Sequence, residues 1–232
     1  KLLRLNQIGI YVDEAHHMFG KSLEADLFKS SKTTSLRNTI NEIASNLEKV
    51  GTHVVACYNF TGTPYVNNRV LPEVVYAYGL KEAILNKHLK QVKITGFEGD
   101  IKSNEFIRQM IKEFWEAYNG NTYEGLLPKI AIFAPTVEDL TENLKPAVEE
   151  VLSELGIPLN KIIVNVGDTK VTTNDDIRNF NNLDKLGSEG NEKQFILLVN
   201  KGQEGWNCRS LFAVGLYREP KSKIFVLQST MR

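Results

Sequence analysis

Short apolar runs alternate with amphipathic stretches along the chain, the pattern of parallel strands covered by helices. Gln7 to Val12 (QIGIYV) reads as a buried strand that stops at the acidic pair Asp13-Glu14. Ser35 to Val50 reads as a helix, with Leu36, Ile40, Ile43, Leu47 and Val50 spaced by three and four and Gly51 as its C-cap. Thr52 to Phe60 is a second strand, closed by Thr61-Gly62-Thr63-Pro64, where Pro64 forbids further ladder pairing. Leu71 to Leu80 is a short strand or an extended connector, and Leu80 to Leu89 has helical spacing.

A regular β/α series follows. Strands are expected at Val92 to Phe97, Lys129 to Ala134, Lys161 to Val166, Phe195 to Asn200 and Leu211 to Tyr217. Helices are expected at Asn104 to Tyr118, with Phe106, Ile107, Met110, Ile111, Phe114 and Trp115 inward, and at Val137 to Leu155, capped by Thr136 and ended by Gly156. Gly167 to Gly190 is polar, with a short helix around Asp175 to Phe180, and Ser222 to Arg232 starts a last helix. The fold class is therefore α/β, with parallel sheets flanked by helices.

Composition narrows the function classes. The 232 residues are 42% apolar and 24% charged, which excludes a disordered chain, a collagen and a disulfide-stapled miniprotein. Lys plus Arg and Asp plus Glu are each 28, so nucleic acid would be held by a local patch or backbone donors rather than a bulk basic field. Cys57 and Cys208 fit reduced, buried thiols, and with no signal peptide or membrane-length apolar run this gives a cytoplasmic expectation. The chain opens on Lys1 rather than Met, and a piece of a longer protein is expected.

The sharpest chemical feature is Asp13-Glu14-Ala15-His16 at a strand end. A carboxylate there projects from the C-terminal edge of a parallel sheet, where open α/β sheets bind ligands. It can hold Mg²⁺ through water, and an adjacent carboxylate can polarise an attacking water. An ordinary charged turn is the plainer alternative for a bare Asp-Glu pair.

Ile8 to His16 resembles motif II of superfamily 2 helicases in its DEAH version. Thr61-Gly62-Thr63-Pro64 is similar to motif III, and Ala131 to Thr136 to motif IV. At Thr136 the choice between helix capping and binding a nucleic-acid phosphate stays open, and both can hold together. Gly202-Gln203-Glu204-Gly205-Trp206-Asn207-Cys208 resembles motif V, with Asn207 where many relatives have Asp and with Trp206 read as a core anchor. Gln228-Ser229-Thr230-Met231-Arg232 is similar to the first half of motif VI, with Met231 in place of a Gly. Asn200 to Arg232 most closely resembles the Res subunit of type III restriction–modification enzymes.

That resemblance implies a RecA-like first lobe, represented in part by residues 1–75, a connector at 76–91, and a second RecA-like lobe at 92–232. It implies ATP and Mg²⁺ as cofactors, DNA as partner with RNA not excluded, and a methyltransferase (modification) subunit as a further partner. ATP would sit in the cleft between the lobes. Asp13 would hold the metal, Glu14 would orient water, Gln228 would meet His16 or the nucleotide, and Arg232 would face the γ-phosphate. Glu204, Gly205 and Asn207 would contact the nucleotide, while Thr61, Thr63 and Thr136 would contact nucleic acid.

No stretch matches Gly-x-x-x-x-Gly-Lys-Ser/Thr, and Gly20-Lys21-Ser22 is a chance match. In the resembled family that phosphate-binding loop would lie ahead of Lys1, so the chain by itself is expected not to hydrolyse ATP. A partial first lobe would also leave apolar faces uncovered. The alternative from another class is a non-catalytic nucleic-acid-binding or scaffold module with the same fold. A nuclease site at Asp100-Ile101-Lys102 with Glu98 nearby is explained better by a charged turn before a helix.

Overall fold

The structure, a computed structural model, describes residues 5–15, 35–62, 64–66, 69–71, 74–89, 91, 93–199 and 207–219. The chain divides into two compact units, 1–79 and 80–232. The expected helix from Ser222 and the anchor Trp206 lie outside the described residues.

In the first unit, β1 (Gln7–Val12) pairs in parallel with β2 (His53–Asn59), and the partners run from Gln7 opposite His53 to Val12 opposite Asn59. The helix α1 (Ser35–Glu48) connects them as the crossover that a parallel pair requires. Gly51, at φ 80°, ends this helix in the left-handed region that its missing side chain allows. Val12 and Ala15 form a small core with Ile10 and Ile40. The opposite sheet face is bare among the described residues: Tyr11, Tyr58 and Phe60 are exposed, and Tyr11 stacks on the other two rings. A short hairpin, β3 (Tyr65–Val66) and β4 (Arg69–Val70), follows. Cys57, expected to be buried, is exposed on β2 opposite Ile10, and its thiol reaches the Asn59 side chain at 3.7 Å instead of an apolar cover.

The second unit opens with α2 (Leu80–Leu85) and α3 (Asn104–Tyr118). Ser103 caps α3, its hydroxyl accepting from the Phe106 amide, and Ile107, Ile111 and Phe114 form its buried face. The sheet contains β5 (Lys129–Phe133), β6 (Ile162–Asn165), β7 (Phe195–Leu198) and β8 (Leu211–Leu216) in the order β6-β7-β5-β8, all parallel. Every residue of β5 and β7 is buried. Alternate side chains feed two cores: Ile130, Ile132, Phe195 and Leu197 pack with α3 and the helix after β5, while Ala131, Phe133, Ile196 and Leu198 pack with Phe180 and Leu183. Burial on both faces is why these strands read as unbroken apolar runs.

Two expectations are corrected. Residues 93–97 form no strand, and Ile94 is 91% exposed, because this segment has no ladder partner among the described residues. The expected continuous helix is instead α4 (Val137–Asp139), a π turn at Leu140–Leu144 and α5 (Lys145–Glu154). The cause stands in the sequence: Pro146, at the start of α5, has no N–H for a helical bond and crowds the carbonyl one turn back. The wider turn ahead of it absorbs that mismatch. Two short helices, α6 (Asn174–Phe180) and α7 (Glu189–Glu192), lie between β6 and β7.

Lys129, at the entry to β5, is fully buried, and its Nζ donates to Leu127 O (2.8 Å), Asn191 O (3.2 Å) and Asn191 Oδ1 (3.3 Å). Burial lowers its pKa from 10.5 to about 8, against the pull of Cys208, Asp184 and Glu192. Between those values the unfolded chain holds more protons than the folded one, so this group's penalty is full below pH 8 and fades as pH rises towards 10.5. Comparing urea unfolding of wild type and Lys129→Met at pH 7 and pH 10 should show the gap shifting towards wild type by about 2 kcal/mol at the higher pH. A gap that does not change with pH would refute the assignment.

Candidate functional site

Parallel pairing puts the C-terminal ends of β1 and β2 at one sheet edge, and two backbone bonds extend the register beyond them. The Phe60 amide donates to Val12 O, and the Ala15 amide donates to Phe60 O, each at 2.8 Å. Asp13 and Glu14 therefore turn over the tip of β1 directly beside the start of the Thr61 segment. Asp13 is exposed, and its Oδ1 accepts the Glu14 amide at 2.9 Å. Glu14 is half-buried, with Oε2 shielded from solvent. Its φ of 48° lies in the left-handed region, which costs a residue bearing a side chain on the order of 1 kcal/mol. Lys87 and Glu124 share that conformation in turns, so strain alone does not mark a site. Ala15 is fully buried and anchors the turn.

The structure thus brings Asp13, Glu14 and Thr61 together. Two oxygen-only carboxylates, one open to water and one half-sheltered, suit a hard divalent cation that keeps most of its ligands from water and phosphate. Among the described residues no group of three or more His, Cys, Asp and Glu forms a protein-only metal cage. His16, Thr63, Glu204, Gly205, Gln228 and Arg232 lie outside the described residues.

In the second unit, Thr136 is exposed and caps α4: its Oγ1 accepts from the Asp139 amide (3.0 Å) and donates to Asp139 Oδ2 (3.2 Å). Asp139 Oδ1 in turn accepts from Lys102 Nζ at 3.0 Å. The Lys102 hydrogen bond holds the Asp139 carboxyl below the usual carboxylate range, and the same bond raises Lys102. A phosphate arriving at Thr136 would meet the carboxylate as well as the ammonium, so the capping role is the one the geometry fulfils directly. Lys102 was legible only as part of a turn: its amide donates to Asp100 Oδ1, the local arrangement that accounts for the Asp100-Ile101-Lys102 triplet.

Asn207 is exposed ahead of β8. The turn that follows it is held by Asp184, which accepts from the amides of Arg209 and Ser210 and from the Ser210 hydroxyl. Sequence reading missed Asp184, because its partners lie far along the chain and the 167–190 segment carries no periodic signal.

The two units each define the same class of architecture, parallel strands flanked by helices. That α/β fold is shared with a solved structure, an ATP-dependent Type ISP restriction-modification enzyme, LlaBIII, bound to DNA. The TM-score is 0.54 at 16% identity, over 97% of this chain and 17% of that one. At that identity the likeness speaks for the fold. The chain spans less than a fifth of that enzyme's length. No protein-family model matches the chain. No curated protein sequence matches it either. Among the described residues, no helix is long and apolar enough to cross a membrane.

Proposed function

We propose that the chain is part of an ATP-dependent DNA helicase or translocase of the restriction–modification kind, with a helicase-like RecA fold. The observation that carries this reading is the Asp13-Glu14 turn at the tip of β1, tied by backbone bonds to the end of β2 beside Thr61. Asp13 would hold Mg²⁺, which supplies charge neutralisation at the phosphates. Glu14 would orient the attacking water and take its proton. Half-burial suits that task, because a partly desolvated carboxylate is a stronger hydrogen-bond acceptor towards a fixed water. Thr61 and Thr63 would couple this edge to nucleic acid, and Thr136 would touch its backbone. Gln228, His16 and Arg232 keep the roles that the resemblance implies, as do Glu204, Gly205 and Asn207 towards the nucleotide. A type III-like methyltransferase partner belongs to the same reading.

One further reading is a scaffold module of the same fold that binds nucleic acid without turnover. The two are separated by measuring ATP hydrolysis and DNA anisotropy on this chain and on a form carrying a phosphate-binding loop ahead of it. The chain by itself is expected to show no appreciable turnover with or without DNA, and the extended form is expected to show DNA-stimulated hydrolysis. DNA binding with no hydrolysis in either form would leave the scaffold; robust turnover by the 232-residue chain would contradict the need for the loop.

A further inference from the structure

We infer that Asp184 is a positioning residue for Asn207, fixing the turn that sets where this side chain stands at the entry to β8. The inference rests on the functional reading above, in which Asn207 meets the nucleotide. Asp184 ends the turn that follows α6, and four donors from one short segment converge on its carboxylate. Oδ2 accepts the Arg209 amide. Oδ1 accepts the Ser210 amide at 3.1 Å, the Ser210 hydroxyl, and the Cys208 thiol at 3.7 Å. Adjacent backbone amides aimed at one anion form a nest, and the anion here is supplied by the chain itself.

The far side of the same turn is fixed too. Ser210 is 2% exposed, and its carbonyl accepts the Lys129 amide at 2.8 Å, so the segment is clamped between a carboxylate and the first ladder bond of β5. A carboxylate suits this place because every partner is a donor and an ionised carboxylate only accepts. An amide would present its NH₂ group to one of them. Burial opposes ionisation of Asp184, but the hydrogen bonds from Ser210 and Arg209 outweigh it and hold the group below the usual carboxylate range. Asn207 stands one residue ahead of this clamp, and motion of the clamp therefore moves Asn207 first.

The test is sugar discrimination by the form that carries a phosphate-binding loop ahead of this chain, the form expected to hold nucleotide. The affinities of wild type, Asp184→Asn, Asn207→Ala and the double variant for Mg-ATP and Mg-2′-deoxy-ATP are compared, with amide exchange at Arg209 and Ser210 followed alongside β5 as internal reference. Wild type should prefer the ribonucleotide by roughly fivefold, what one hydrogen bond supplies. Asp184→Asn and Asn207→Ala should each bring that preference near one, with the double variant no lower. Exchange at Arg209 and Ser210 should rise while β5 keeps its protection. Ser210→Ala, which removes one donor and leaves both amides, gives a partial loss of preference and serves if Asp184→Asn does not fold. Full preference retained in both Asp184→Asn and Ser210→Ala overturns the inference. A loop-bearing wild type that binds neither nucleotide overturns the functional reading itself, which is a different result.

Discussion

Glu14→Gln is expected to lower DNA-stimulated ATP hydrolysis by about 100- to 10,000-fold in the hydrolysis-competent protein, the usual contribution of a positioned acid–base group. DNA affinity and the unfolding midpoint should stay within error of wild type. The reasons are local. Glutamine preserves the length of the side chain and carries the same left-handed backbone at φ 48°, so the turn bears no new strain. The Ala15 and Phe60 amides donate the backbone bonds that tie the turn to the end of β2, and the substitution leaves both in place. What the substitution removes is the ability to accept a proton from water. Steady-state turnover with and without a DNA duplex, read beside anisotropy and a thermal melt, separates the chemistry from folding. If the variant keeps turnover within a few fold of wild type, Glu14 is a turn residue and the Asp13-Glu14 tip is a charged strand end.

What made that site legible was a strand followed at once by two acids; what hid its surroundings was tertiary. The period and composition of Gln7 to Val12 give the strand, but parallel pairing with His53–Asn59 depends on a crossover, and no local signal states which edge β2 takes. The second unit was the most readable part of the chain. β5 and β7 are covered on both faces, so their apolar runs stand out, and α3 announces its start through Ser103. Failures came where a single residue or a distant partner decides the outcome. Pro146 turns part of one expected helix into a π turn, and residues 93–97 have strand-like composition without a neighbour to pair with. Lys129 reads as a polar strand entry, yet the fold buries its ammonium among acceptors supplied by Leu127 and Asn191. Asp184 looks like one more acid in a polar loop until the turn before β8 is folded onto it.

Phe195→Ala should destabilise the second unit by about 3–5 kcal/mol, the range for emptying a fully buried aromatic site. Phe195 opens β7, an interior strand of the sheet with β6 on one side and β5 on the other, and is 0% exposed. Its ring meets Phe114 edge-on at 5.8 Å and Trp115 at 6.1 Å, so it is the point where the sheet locks onto α3. Relaxation into the cavity would require α3 to move towards the sheet, which Ile107 and Ile111 on the same buried face resist. The matched comparison is Tyr58→Ala on β2. That ring is 49% exposed and rests on Tyr11 alone among the stacking contacts described, so its removal should cost about 1 kcal/mol or less. Chemical unfolding followed by tryptophan fluorescence, from Trp115 and Trp206, and by far-UV dichroism measures both. Equal losses for the two variants would mean that the second unit's packed sheet is not where the chain's stability resides.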